Sequence, residues 1–438
     1  MGLDFDQRLA HVRALGHAFL QPAVRKSLLE AYGRDTLLLP KDIAVREVEV
    51  PARLCSLPVL AARDIRNAQP CGGVAILMPK NSIGFTIAKA VVGAWLTGNR
   101  VVVRFPTQLV HSAPVFSELL RTHLPGIEIV SDCSGPQFLS NALRDAGIQA
   151  VVIYGDDSWI DAYRPLAEST RTRVLFEGPG NDPLIVGADA DIDAAVDAAI
   201  RGGLMNGGQS CSAFERFFVH RDVHANFVGR LAARVAGMRI GPPEQATTDI
   251  GPIASPTVRQ RLSAQVDDAL RAGARLVCGG RCVDVGLEGA EAFEPTVLTG
   301  CAPQMRIVAE ENFGPVFPVI AYSTLDELMP MLDASQHGLN AAAYGTAPAS
   351  LAAWMQASHR NWYLNSTPAD ASNLPTRLAD GGMRRSAFIW EEDQGRYGSR
   401  QGRRLLALEL TAQPQQLRTR TEPLLAAAAL DYLPEAFS

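Results

Sequence analysis

The segment Asn206-Gly207-Gly208-Gln209-Ser210-Cys211-Ser212-Ala213 sets one cysteine among glycines, serines and a glutamine. A thiol reacts as its thiolate, so a nucleophilic cysteine needs access and a depressed pKa. A loop of small residues leading into a helix would offer both, through free backbone amides and the positive helix end. Cys211 is therefore the candidate nucleophile, set against the commoner use of cysteine as a small buried hydrophobe.

The flanking sequence alternates helical spacing with short apolar runs. Leu9, Val12, Leu15 and Phe19 predict a supporting helix pair over 5–32, and 43–50 reads as a β-rich patch. Strands are expected at 72–78, 100–105, 127–130 and 150–154, with helices at 83–96, 112–122 and 136–146 between them. Such strand–helix–strand units pair in parallel, which makes a doubly wound α/β domain the natural reading. No Gly-x-Gly-x-x-Gly follows the first strand, so the usual dinucleotide fingerprint is missing. Beyond 184–186 come a helix at 189–201, the Cys211 loop, a strand at 217–219 and further alternating elements to about 364, a second α/β domain. The stretch 403–410 reads as a late edge strand of the kind that pairs with another subunit, followed by a polar tail.

A chain of 438 residues, 47% hydrophobic and 20% charged, has ample core for two or three domains. Its apolar runs are too short to cross a bilayer, and its first residues lack the pattern of a secretory signal. The seven scattered cysteines suit a reducing compartment, so a cytoplasmic location is expected. Cys278 and Cys282 have no further ligands at zinc spacing, and no metal is expected. A net charge of −5 without basic runs argues against nucleic acid as a partner.

Four segments in order carry a resemblance: Met78-Pro79-Lys80-Asn81, Phe176-Glu177-Gly178-Pro179-Gly180, the Asn206–Ala213 loop, and Glu310-Glu311-Asn312-Phe313-Gly314-Pro315-Val316. Together they resemble the aldehyde dehydrogenase superfamily from about Gly72 to Gly398, as a short, atypical member. The resemblance implies a cofactor-binding domain over 1–50 and 71–180, a catalytic domain over 181–400, and oligomerisation strands and tail over 51–70 and 401–438. It also implies NAD or NADP as cofactor, a small-molecule aldehyde as substrate, and a homodimer or homotetramer. In that reading Cys211 attacks the aldehyde, and Asn81 with the Cys211 backbone N–H stabilises the oxyanion. Glu177 activates the water that hydrolyses the thioester. Glu311 and Phe313 match positions that hold the nicotinamide ribose and buttress the ring. Arg104 stands where the family has a lysine for the adenosine ribose. Thr107 replaces an acidic residue common in NAD-preferring members, which leans toward NADP. Gly155-Asp156 replaces a glycine-serine pair near the pyrophosphate, and an aspartate there would repel phosphate.

The departures bear on the substrate. Lys80 and Ser82 flank Asn81 where aromatic residues are common, so a more polar funnel is expected. Lys89 lies eight residues after Asn81, about two helical turns, near a position where the similar succinate semialdehyde dehydrogenases use an arginine for the substrate carboxylate. Lys80 and Lys89 are thus the candidate substrate-binding residues, and Lys89 raises the option of an anionic aldehyde. Ala90 replaces a lysine of the family, and Glu391 is a candidate second proton-relay carboxylate. Three other readings stay open: a coenzyme A-acylating dehydrogenase or acyl-thioester reductase, a catalytically silent binding protein of the same fold, and a cofactor-free cysteine hydrolase.

Overall fold

The computed structural model describes residues 2–368, 370, 378 and 380–431, with side chains to Ala426. Its centre is a pair of seven-stranded sheets. In the first, Gly73–Leu77 lies between Arg100–Arg104 and Ile148–Tyr154, parallel to both. Glu128–Val130 extends one side, and Arg173–Glu177 the other, again in parallel. Val101, Val103, Val151, Val152 and Ile153 are all buried, because helices cover both faces and leave no solvent side for polar alternation. The second sheet runs Asn361–Leu364, Asn340–Tyr344, Asp182–Val186, Phe214–His220, Val316–Tyr322, Thr296–Thr299, Arg275–Cys278, parallel except at the last strand. The expected doubly wound α/β architecture is present in both halves.

The N-terminal helices Phe5–Leu20 and Pro22–Thr36 form as the apolar spacing predicts, the first started by an Asp4–Gln7 capping box. Val12, Leu15, Phe19 and Tyr32 enter the same core as the first sheet.

Three expectations are corrected. The segment 43–50 is helical, a continuous run of Pro40–Ile43, a π-helical turn Ala44–Glu49, and Val50–Ser56. Its buried residues Ile43, Ala44, Glu47 and Val48 recur at helical spacing, which outweighs the β-propensity of its valines. The segment 51–70 is likewise helical where it is regular, in the end of that run and as Pro58–Ala61 and Arg63–Arg66, with Pro58 in a first-turn position where proline is tolerated. In the late stretch only Gly402–Arg404 is a strand, and it pairs within the chain to Asp380–Arg384. Leu406–Glu409 is a helical turn. Leu405, Leu406, Ala407, Leu408, Glu409 and Leu410 are all buried, an arrangement that the alternation of a one-sided strand would have denied to half of them. Residues 432–438 of the tail lie outside the described residues.

The first sheet also gains a hairpin, Ala387–Asp393 with Arg396–Arg400, antiparallel to Arg173–Glu177. Residues 387–400 therefore join the sheet of the first domain, although the resemblance assigns them to the second.

Candidate active site

The parallel strands of the two sheets end and begin at one place. Asn81, Gly155 and Glu177 lie at or just past the carboxyl ends of first-sheet strands. Cys211, Glu311 and Asn340 lie at or just before the amino ends of second-sheet strands. A cavity of about 380 Å³ opens between these edges, lined by all six. Loops at carboxyl strand ends are the usual binding face of open α/β sheets.

Cys211 follows the helix Ile192–Gly203 and runs into the strand Phe214–His220. The expected positive helix end is therefore absent: the neighbouring helix presents its carboxyl end, and a strand follows. Burial pushes the half-buried thiol up, and Glu311 adds to this; Arg46 and Arg360 pull it down. The loop is shaped by three successive left-handed residues, Asn206, Gly207 and Gly208. A Cβ at Gly208 would lie 2.3 Å from the Gly314 backbone, and one at Gly180 would lie 1.8 Å from the Cys211 carbonyl oxygen. Only glycine fits at either place. Asn81 is tied to the same loop, its Nδ2 donating to the Gln209 carbonyl at 3.4 Å. Asn206 Nδ2 reaches the Asn81 carbonyl at 3.5 Å. Tyr32 donates to the Lys80 carbonyl at 2.7 Å, so the N-terminal helices brace the Asn81 loop.

Glu177 sits opposite, and its carboxylate is already engaged. Arg404, 0% exposed, donates to Oε1 from Nε at 2.9 Å and from Nη2 at 2.5 Å. The Gly381 N–H donates to both oxygens at 3.0 and 2.9 Å. Beside this clamp the Lys89 ammonium pairs with Asp380 Oδ1 at 2.5 Å. Burial pulls Lys89 down and Asp380 up, and each resists the other's neutralisation. Tyr154 reaches the same carboxylate at 3.5 Å. Lys89 lines the cavity as expected, but the π-helical turn Ile87–Val91 that holds it aims its charge at an internal acid. As a receptor for a substrate anion it is corrected to an ion-paired wall residue.

Among the cofactor candidates, Glu311 and Phe313 line the cavity. Glu311 Oε1 accepts from the Gly180 N–H at 3.1 Å. Burial pushes this carboxyl up to about 7, with Asp156 and Asp157 adding to the rise and Arg261 opposing it. Phe313 adopts φ 56°, fixed by buried Glu215, whose two oxygens accept the Asn312 and Phe313 N–H groups at 2.9 and 2.8 Å. Arg104 and Thr107 do not line this cavity. Arg104 is buried, with Nε and Nη2 donating to the Cys133 carbonyl at 3.3 and 3.2 Å. Thr107 is exposed in the loop after that strand. Glu391 is remote from the cavity as well. It is buried in a cluster with Arg173, Arg400 and Arg418, so its expected relay role is replaced by a structural one.

Sequence reasoning missed Arg46, Arg360, Asp380 and Arg404. Asp380 and Arg404 pair across a short internal strand ladder, and no local spacing joins either to Glu177. Arg46 lies in 43–50, whose β-branched content suggests a strand and so hides a helical face. A signal existed for Asp380, an acid directly before the Gly381-Gly382 pair.

The model of the aldehyde dehydrogenase family matches residues 56–401, and the chain belongs to that family. Succinate-semialdehyde dehydrogenase [NADP(+)] 1 of Mycobacterium tuberculosis is 32% identical over 279 residues, covering 63% of this chain and 60% of that protein. A succinate-semialdehyde dehydrogenase [NADP(+)] of Mycobacterium leprae is 30% identical over 290 residues, covering 65% and 62%. The chain thus spans less than two thirds of these relatives' length. Among solved structures, aldehyde dehydrogenase C from Pseudomonas syringae, in complex with NAD+ and octanal, superposes with a TM-score of 0.80 at 25% identity, covering 93% of this chain and 85% of that one. The NAD-dependent aldehyde dehydrogenase from Sinorhizobium meliloti gives 0.79 at 23%, covering 92% and 83%.

Proposed function

We propose that this chain oxidises a small aldehyde, most suitably one bearing an anionic group, to its carboxylic acid with NAD or NADP. The observation that carries the reading is the convergence of Cys211, Asn81, Glu177, Glu311 and Phe313 on one cavity. Cys211 Sγ bonds to the aldehyde carbon, giving a thiohemiacetal whose oxyanion takes donors from Asn81 Nδ2 and the Cys211 N–H. When bound, the nicotinamide supplies the hydride acceptor that leaves a thioester on Cys211. The site fits that group: Glu311 has one oxygen held by Gly180 and the other available to a ribose hydroxyl, and Phe313 stands beside it. Glu177 then draws a proton from the hydrolytic water. The NADP(+) named for the two mycobacterial relatives favours NADP. A cytoplasmic setting suits the seven free cysteines, and no described helix is long and apolar enough to cross a membrane. A second copy is the expected partner, and exposed Trp362 and Leu364 on an edge strand offer it apolar surface.

A screen of aldehydes of differing charge and length with NAD and NADP tests the reading. Reduced-nicotinamide absorbance should rise with at least one pair and fall roughly a thousandfold or more in Cys211→Ala. Turnover that survives in the variant would refute the assignment.

One observation favours a second reading, transfer of the acyl group to a coenzyme A-type thiol. Glu177 already accepts three donors, which compete with a hydrolytic water for the same carboxylate oxygens. Added coenzyme A would then yield acyl thioester in place of acid.

A further inference from the structure

The strand Phe214–His220 enters the second sheet through an irregularity. Its neighbour Asp182–Val186 pairs Asp182 with Phe214 and Pro183 with Arg216, so Glu215 is the extra residue of a β-bulge. A bulge re-aims a side chain out of the sheet's alternation and is common beside active sites. Here it carries Glu215, four residues after Cys211, to the turn that precedes Val316–Tyr322. Arg216, the next residue, turns away and donates to the Asn181 and Leu332 carbonyls at 2.9 and 3.2 Å.

Glu215 is 2% exposed and does not line the cavity. A carboxylate is costly to bury, and burial pushes this one well up, with Glu311 adding to the rise. Both of its oxygens are spent on backbone, the Asn312 and Phe313 N–H groups. The same turn is held from two further sides: Asn312 Oδ1 accepts the Gly314 N–H at 3.0 Å, and Arg261 Nη2 donates to the Asn312 carbonyl at 3.4 Å. Phe313 takes a left-handed φ that a phenylalanine rarely adopts, and such strain persists only where the surroundings over-determine it. Gly208 packs directly on Gly314, so the turn also abuts the Cys211 loop.

We propose that Glu215 is the positioning residue of the cofactor wall: it holds the Asn312–Phe313 turn so that Phe313 stands beside the nicotinamide and Glu311 faces the ribose. The inference rests on the aldehyde-oxidising reading above, in which Glu311 and Phe313 meet the dinucleotide. Two neighbouring N–H groups need two acceptors at one place, which a carboxylate supplies. A glutamine has one oxygen and would leave one of them facing an amide NH2. Since Glu215 follows Cys211 into one strand, the segment that carries the nucleophile also sets the cofactor wall.

Binding of NADPH and NADH, read by nicotinamide fluorescence without aldehyde, tests the proposal. In Glu215→Gln the dissociation constant of the better-bound cofactor should rise about tenfold to a hundredfold. Iodoacetamide labelling of Cys211 in the cofactor-free chain should keep its rate, which separates loss of the cofactor wall from loss of the site as a whole. Phe313→Gly supplies the sharper comparison: glycine takes a positive φ without help, so adding Glu215→Gln there should cost no further affinity. Unaltered binding in Glu215→Gln, an equal additional loss in the Phe313→Gly background, or a matching change in Cys211 labelling overturns the proposal. Should Glu215→Gln not fold, as read by circular dichroism, Glu215→Asp carries the same predictions, since it keeps the charge and shortens the reach. An unaltered chain that binds neither cofactor overturns the functional reading and this inference with it. An unaltered chain that binds, while its Glu215 variants bind equally well, overturns this inference alone.

Discussion

The two walls of the cavity are built on opposite terms. The Cys211–Asn81 wall is held by glycine-tight backbone and two long amide hydrogen bonds, and its side chains keep donors to spare. The Glu177 wall is internally paired: Arg404 and Gly381 hold Glu177, and Lys89 and Tyr154 meet Asp380, before anything enters, with Arg404 Nη1 and Asp380 Oδ2 left without partners. The contrast separates positioning from readiness. A thiol with uncommitted neighbours can respond to a substrate, whereas a carboxylate under several donors must first be released.

The largest effect should come from breaking the paired wall. Arg404→Met leaves Glu177 buried without its cation, and a loss of about 3–5 kcal/mol in denaturant unfolding is expected. An unchanged midpoint would mean that the clamp carries no energy, and the contrast would collapse. A smaller effect should come from beneath the open wall, where Glu47 is buried against Gly84. Its carboxyl is raised from an ordinary value near 4.5 to about 7, chiefly by burial. A raised folded pKa stabilises the protonated state, so this contribution is full below about pH 4.5 and is lost as pH rises through 7. The full titration is worth on the order of 3 kcal/mol. Unfolding free energies between pH 5 and 8 should therefore fall less steeply in Glu47→Gln. An identical slope in both chains would show that Glu47 is not the buried acid described.

The open wall was legible in the sequence and the paired one was not. Cys211, Asn81, Glu311 and Phe313 stand in short segments whose order and composition survive in one dimension. Glu177 was legible as a carboxylate but not as a clamped one, because Arg404 lies 227 residues away on a strand ladder that only folding creates. Parallel strands were readable from their unbroken valine and isoleucine runs. The 43–50 helix was missed because β-branched residues suggested a strand, while a buried glutamate at helical spacing was the contrary sign. The helix end expected to activate Cys211 failed because the loop enters a strand, as the aromatic-rich run Phe214–His220 itself indicates.

The most direct test of the account is the mass of the Cys211 peptide after rapid quenching of the chain with succinate semialdehyde and NADP. The account predicts an added succinyl group on Cys211, absent without NADP. An unmodified Cys211 peptide alongside reduced nicotinamide would contradict it.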